Sequence, residues 1–170
     1  MTQDELRVPG SIRKLVEQPP AEDIALRVLR EAMPDVPIRS RIPAEPELWP
    51  TKEGLLIVCR RGSSYGTWGG ETRFVNHAGI EVQVFAYGPD AEERAALAHE
   101  ACRVAFRDAM IRQDYYPGLG SISWHYMQEE PRRKADWATA TGPVQYADLP
   151  SGWERYEARH QLFIRRPIWG

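Results

Sequence analysis

The chain has 170 residues, a formal net charge of −2, 42% hydrophobic and 27% charged residues. That usage excludes a wholly disordered chain and fits one domain with its own core, or one domain plus an arm. The absence of a basic surplus argues against a general nucleic-acid binder, which needs many Lys and Arg to release counterions.

Residues Met1–Pro20 read as an N-terminal arm, with a short mixed segment from Leu6 to Val16 ahead of Pro19-Pro20. Met1–Glu5 is acidic and polar and lacks the basic start and apolar run of a signal peptide. No apolar run approaches the length that spans a bilayer. A chain kept in, or assembled in, a reducing cytoplasm is expected. A single domain, residues 21–170, follows the arm.

Ala21–Met33 predicts a first helix, with Pro20 at its start, Glu22 and Asp23 facing the N-terminal dipole, and Pro34 as the stop. Val36–Ile42 predicts a short strand whose prolines place it at a sheet edge. Pro43–Lys52 is a loop carrying Trp49, and Leu55–Cys59 a continuous apolar run expected as a central strand. Gly62–Gly70 holds four glycines in nine residues. A strand follows it rather than a helix, so it reads as a long hairpin tip with Tyr65 and Trp68, not as a phosphate cradle. Thr72–Tyr87 predicts the next strand, with a bulge or second turn at Asn76–Gly79.

Gly79–Arg112 is the organising stretch. Ile80, Val82, Val84 and Ala86 alternate with Glu81, Gln83, Phe85 and Tyr87, and Gly88-Pro89 ends the strand. Asp90 and Glu93 have the spacing of a capping box. Ala91–Arg112 contains no Gly or Pro, and Ala98, Ala101, Cys102, Ala105 and Ala109 form a small-residue stripe that lets a helix lie close on a sheet. Asp114–Gly120 reads as a turn. Ser121–Gln128 alternates Ile122, Trp124 and Tyr126 against Ser123 and His125 as a fourth strand. Glu129–Trp153 is a long aperiodic loop with Arg132, Arg133, Lys134, Trp137 and Trp153; loops of that length are functional or held by a partner. Glu154–Arg165 is the last strand, Tyr156, Ala158, His160, Leu162 and Ile164 on one face and Arg155, Glu157, Arg159 and Gln161 on the other. The expected fold is α+β: a mixed or mostly antiparallel sheet of about five strands, two main helices on one face, and long loops.

No catalytic constellation emerges. His77, His99, His125 and His160 form no HExxH, and no CxxC or GxSxG is present. His99 and Cys102 share a helix face, but two ligands without a second pair define no metal site. Cys59 and Cys102 sit in apolar patterns and read as buried free thiols. The adjacent pairs Glu92-Glu93 and Glu129-Glu130 point to different sides of a helix or strand. The expectation is a protein that is not an enzyme and carries no cofactor or metal. Instead Trp49, Trp68, Trp137, Trp153 and Trp169 fall in turns and terminal segments, and Trp is enriched at interfaces. Arg60, Arg61, Arg132, Arg133, Arg159, Arg165 and Arg166 suit acidic partner surfaces.

Four features together resemble the tail terminator, or tail-completion, proteins of long-tailed phages, especially those of actinobacterial phages. They are the opening helix and Pro-rich edge (Asp23–Ile42), the strand Leu55–Cys59 with its Gly-rich hairpin and the strand Ile80–Tyr87, Gly88-Pro-Asp-Ala-Glu-Glu ahead of an Ala-rich helix, and the final strand Tyr156–Ile164. The resemblance spans most of residues 21–166 and includes no catalytic motif. It implies a small sheet flanked by helices and a virion protein at the head-proximal end of the tail, assembled in the host cytoplasm. It further implies a homo-hexameric ring that caps the tail tube protein, docks to the head-tail connector proteins, and lets DNA pass through its lumen without specific binding. Tyr65, Trp68, Arg132, Arg133, Lys134, Trp137 and Trp153 are the interface residues we expect from their two loops. A head-tail connector or head-closure ring subunit is the alternative in the same class. A small α/β enzyme is the alternative in another, and would need a deep pocket gathering His77, His125 or His160 with carboxylates.

Overall fold

The computed structural model describes residues 11–12, 19–62, 75–134 and 149–167. Helix α1 (Ala21–Ala32) is followed by β1 (Ile38–Arg39), a 3-10 turn (Pro46–Leu48), β2 (Leu55–Arg61) and β3 (Val75–Tyr87). Then come α2 (Ala91–Arg112), β4 (Tyr115–Tyr116), β5 (Gly120–Arg133) and β6 (Trp153–Arg165). The six strands form one sheet in the order β1-β2-β3-β6-β5-β4. All pairs are antiparallel except β1 with β2, which is parallel. This is the expected α+β fold with one strand more than the sequence suggests, because Tyr115–Tyr116 folds back on Gly120–Ser121 instead of merely turning.

Both helices cover the same face. Ile24, Val28 and Leu29 of α1 and Ala95, Cys102 and Phe106 of α2 close over Ile57, Val82, Val84, Leu162 and Ile164 of the sheet. Burying such side chains is worth about 1.5–3 kcal/mol each, and the small residues of α2 bring its backbone down onto the strands. Cys59 and Cys102 are free and buried in this core, as expected. Burial pushes both thiols up, Cys102 to about 12, so neither is a thiolate. Asp90 stands at the N-cap of α2, but its side chain makes no capping hydrogen bond, so the expected Asp90/Glu93 box is not formed. The helix is held there by Arg94, whose guanidinium donates to the carbonyls of Tyr87 and Glu53 at 3.2 and 2.6 Å, tying α2 to the end of β3 and the start of β2.

Several local expectations are corrected. The edge strand shrinks from Val36–Ile42 to Ile38–Arg39, since Pro37 offers no amide to the ladder and the chain leaves the sheet after Arg39. No bulge breaks Asn76–Gly79: β3 pairs with β6 in unbroken register from Val75–Arg165 to Tyr87–Trp153. The bulges lie in β5, with register shifts between Ile122 and Trp124, Met127 and Glu129, and Glu129 and Arg132. Each adds one residue to β5. The first flips the alternation, so His125 joins Ile122 on the helix side while Trp124 (57% exposed) and Tyr126 (43%) face outward. The expected loop Glu129–Trp153 shortens at both ends. Residues 129–133 belong to β5, Trp153 opens β6, and residues 135–148 lie outside the described set.

Candidate interaction surface on the open sheet face

The face opposite the helices is ordered in rows, because the register of β2, β3, β6 and β5 aligns residues across four strands. One row runs His77–Phe163–Trp124, and His77 stacks on Phe163 with ring centroids 4.2 Å apart. The row after next reads Arg60–Glu81–Arg159–Glu129, strictly alternating in sign. The row beyond is Val58–Gln83–Glu157–Arg132. At the far end Trp49, Leu56, Val58, Phe85 and Trp153 make a second apolar cluster.

Side chains bond along and between these rows. Arg60 pairs with Glu81 at 3.1 Å and Arg159 with Glu129 at 3.2 Å. Arg155 bridges the two buried carboxylates, 2.5 Å from Glu157 and 3.7 Å from Glu81. Gln83 donates to Glu81 at 2.7 Å, and Lys134 approaches Glu157 to 3.7 Å. Gln161 is hydrogen-bonded to Gln128 across β6 and β5. Burial pushes the Glu81 carboxyl up, but hydrogen bonds from Glu157, Gln83 and Arg60 outweigh it and bring its pKa to about 2. Glu157 is displaced the other way, by burial and by the Glu81 charge beside it. Removing one partner from such a buried set strands a charge, so the network fixes which rows meet.

The predicted interface residues fall into three groups. Tyr65, Trp68 and Trp137 lie outside the described residues. Arg132, Arg133 and Lys134 are brought together, exposed, at the end of β5, where Arg133 pairs with Glu154 at 2.8 Å and the Lys134 amide donates to the Arg155 carbonyl at 2.9 Å. Trp153 is not a surface residue: it is 6% exposed and lies 5.0 Å, centroid to centroid, from Trp49. Trp49, also expected on the surface, is 5% exposed and sits edge-on to Phe85. Both were misplaced for one reason: the open face of the sheet carries its own apolar cluster, which a loop assignment hides. Trp124, Tyr126, Glu81, Gln83, Arg155, Glu157 and Glu129 join this face without being among the expected interface residues. The alternation of Arg155, Glu157, Arg159 and Gln161 against an apolar face was the available signal for the network, while the bulge at Ser123 concealed the outward turn of Trp124.

The histidines named for an enzyme site do not converge. His77 is on the open face, whereas His125 and His160 are in the helix-face core, His125 Nε2 and His160 Nδ1 2.9 Å apart. His99 is buried nearby on α2, and Phe106 packs against both paired rings at 5.4 and 5.2 Å. Burial above all holds the three below the usual histidine range, His99 and His125 at about 4 and His160 at about 3. Arg103 adds to the depression at His125 and His160. A groove of about 580 Å³ opens between α1 and α2, lined by Val28, Met33, Val104, Asp108, Arg112 and Tyr116. Its Asp108 and Arg112 are paired with Arg107 and Asp114. Among the described residues no cluster of three or more His, Cys, Asp or Glu could hold a metal ion, and no helix is long and apolar enough to cross a membrane. A scan against protein-family models gave no match for the chain, and neither did a search of curated proteins.

Proposed function

We propose that this chain is a structural virion protein, a tail terminator whose copies close a hexameric ring on the tail tube and join it to the head connector. The observation that carries the reading is the asymmetry of the sheet. One side ends in β5, whose outer edge pairs, among the described residues, with β4 at Gly120–Ser121 and further along carries the exposed Trp124 and Tyr126. The other ends in β2, covered by β1 at Ile57 and Val58. A ring of identical subunits needs two unlike, complementary surfaces on opposite sides of each copy, and a sheet with two different edges supplies them. The β2–β3 and β5–β6 connections leave the sheet at opposite ends, which suits one for the tube and the other for the connector. The first carries Tyr65 and Trp68; the second carries Trp137 and is anchored by Arg132–Lys134. The modest acidic charge suits a lumen through which DNA slides without sticking.

The test is light scattering and negative-stain imaging of the purified chain, alone and mixed with tail tubes lacking their cap. A six-membered ring, formed alone or at one tube end, supports the terminator. Rings that ignore tubes but bind the head connector would move the protein to the connector position, and a chain that stays monomeric in both settings overturns the assembly reading.

A further inference from the structure

We propose that two copies of this chain pair through the outer face of α2, helix against helix and antiparallel, about a two-fold axis at Val104. This does not rest on the ring reading above. Two observations carry it.

The first is the pattern of the helix. α2 presses Ala95, Cys102, Phe106 and Ala109 onto the sheet. A helix that covers a sheet normally turns a polar face to water. Here Leu97 and Ile111, each 66% exposed, stand on the side away from the sheet, with the half-buried Val104 midway between them. The three are seven residues apart in the sequence, and seven residues complete two helical turns to within about 20°. They form one straight apolar line about 21 Å long. Ala101 and Asp108 occupy the alternate positions of the same heptad. So narrow a seam fits a second helix rather than a broad surface.

The second observation selects the occupant, because the line is its own complement. With a second copy reversed about Val104, Leu97 meets the other Ile111 at both ends and Val104 meets Val104 in the middle. Between these layers Glu100 of one copy faces Arg107 of the other, and symmetry makes the contact twice. A parallel pair would instead set Glu100 beside Glu100 and Arg107 beside Arg107. Within each copy Glu100 lies 2.5 Å from Arg103 and Arg107 lies 2.9 Å from Asp108. Each site between layers therefore gathers two acids and two bases. Arg107 gives Nε and Nη2 to Asp108, which leaves Nη1 to donate to the second carboxylate. Ala101 faces the other Asp108 and leaves it room.

The experiment uses the full chain. Light scattering without tail tubes should report a dimer. Val104→Cys should cross-link to a dimer and no further under mild oxidation, because a residue on a two-fold axis meets only itself. Cys59 and Cys102 are buried and take no part. Val104→Lys and Val104→Glu should each weaken self-association by at least about tenfold, since like charges meet at the axis. An equimolar mixture of the two should recover the dimer, which also shows that both variants fold. A Val104→Cys chain that does not cross-link, charge variants that associate like the wild type, or a mixture that stays monomeric overturns the pairing. Six-membered rings without the cross-link overturn it and leave the ring reading standing. Cross-linked dimers that neither form rings nor cap tubes support the pairing and remove the ring reading.

Discussion

The buried histidines make the fold acid-labile in a narrow window. An unfolded histidine takes its proton near pH 6.5. In the folded chain His99 and His125 are held at about 4 and His160 at about 3. Folded pKa values below the unfolded one mean that, between about pH 6.5 and 4, the unfolded chain binds more protons. Stability is then flat above about pH 7 and falls as the pH drops through this interval. At pH 5 each histidine costs about 2 kcal/mol relative to pH 7, and the three together about 5–6 kcal/mol. That is a large share of the 5–15 kcal/mol typical of a domain. Arg103, facing the pair from α2, makes protonation harder still, and the Tyr156 backbone opposes it weakly at His99. Carboxylates add little above pH 5. The lowered Glu81 loses its contribution only in stronger acid, and the raised Glu157 works slightly in the opposite sense. Urea unfolding at pH 5, 6, 7 and 8, followed by tryptophan fluorescence, measures the effect. The double variant His125→Phe/His160→Leu should lose about two thirds of the pH dependence if it folds. A wild-type midpoint unchanged between pH 7 and pH 5 would refute the reasoning.

Three further outcomes follow from packing. Gly120 has φ 96°, and an added Cβ would fall 1.9 Å from the Arg165 carbonyl oxygen, whereas Gly118, φ 76°, has open space around it. Gly120→Ala should therefore lower Tm far more than Gly118→Ala, which costs about 1 kcal/mol for the left-handed backbone alone. Trp49→Ala empties the centre of the open-face cluster and should destabilise by about 3–5 kcal/mol in urea titrations; a loss below 1 kcal/mol would mean the cluster is not packed as described. Arg155→Ala removes the bridge between Glu81 and Glu157 and should cost about 3–5 kcal/mol. Arg133→Ala breaks an exposed pair with Glu154 and should stay within about 0.5 kcal/mol, as chemical denaturation of both variants would show.

What the sequence made legible is what period and punctuation encode. Gly88-Pro89 and the uninterrupted Ala91–Arg112 run located the central strand-helix unit to the residue, because proline and glycine act locally and strongly. Both helices on one face and the edge position of the proline-flanked strand followed from the same local logic. What was hidden depends on partners far along the chain. A two-residue strand such as Tyr115–Tyr116 has no period to read. The bulge at Ser123 reverses the inside and outside of Trp124 and His125 with no sequence mark, since only the pairing with Phe163 and Leu162 reveals the extra residue. Trp49 and Trp153 read as surface aromatics because nothing near either in sequence announces the cluster they share with Phe85.

The open face poses a physical question that bears on function. A sheet face spared by helices is normally solvated and needs no buried ions. Here Glu81, Gln83, Arg155, Glu157 and Gln161 are each less than a tenth exposed. Burying such a set is costly, and apolar residues of similar size would serve stability as well or better. Charges in register do something an apolar patch cannot: they make each row distinguishable from the next. A shift of β6 by two residues against β3 would keep Tyr156, Ala158 and His160 on the helix face, yet would put Glu157 or Gln161 opposite Glu81 in place of Arg159. The network thus fixes register where the apolar pattern leaves it degenerate.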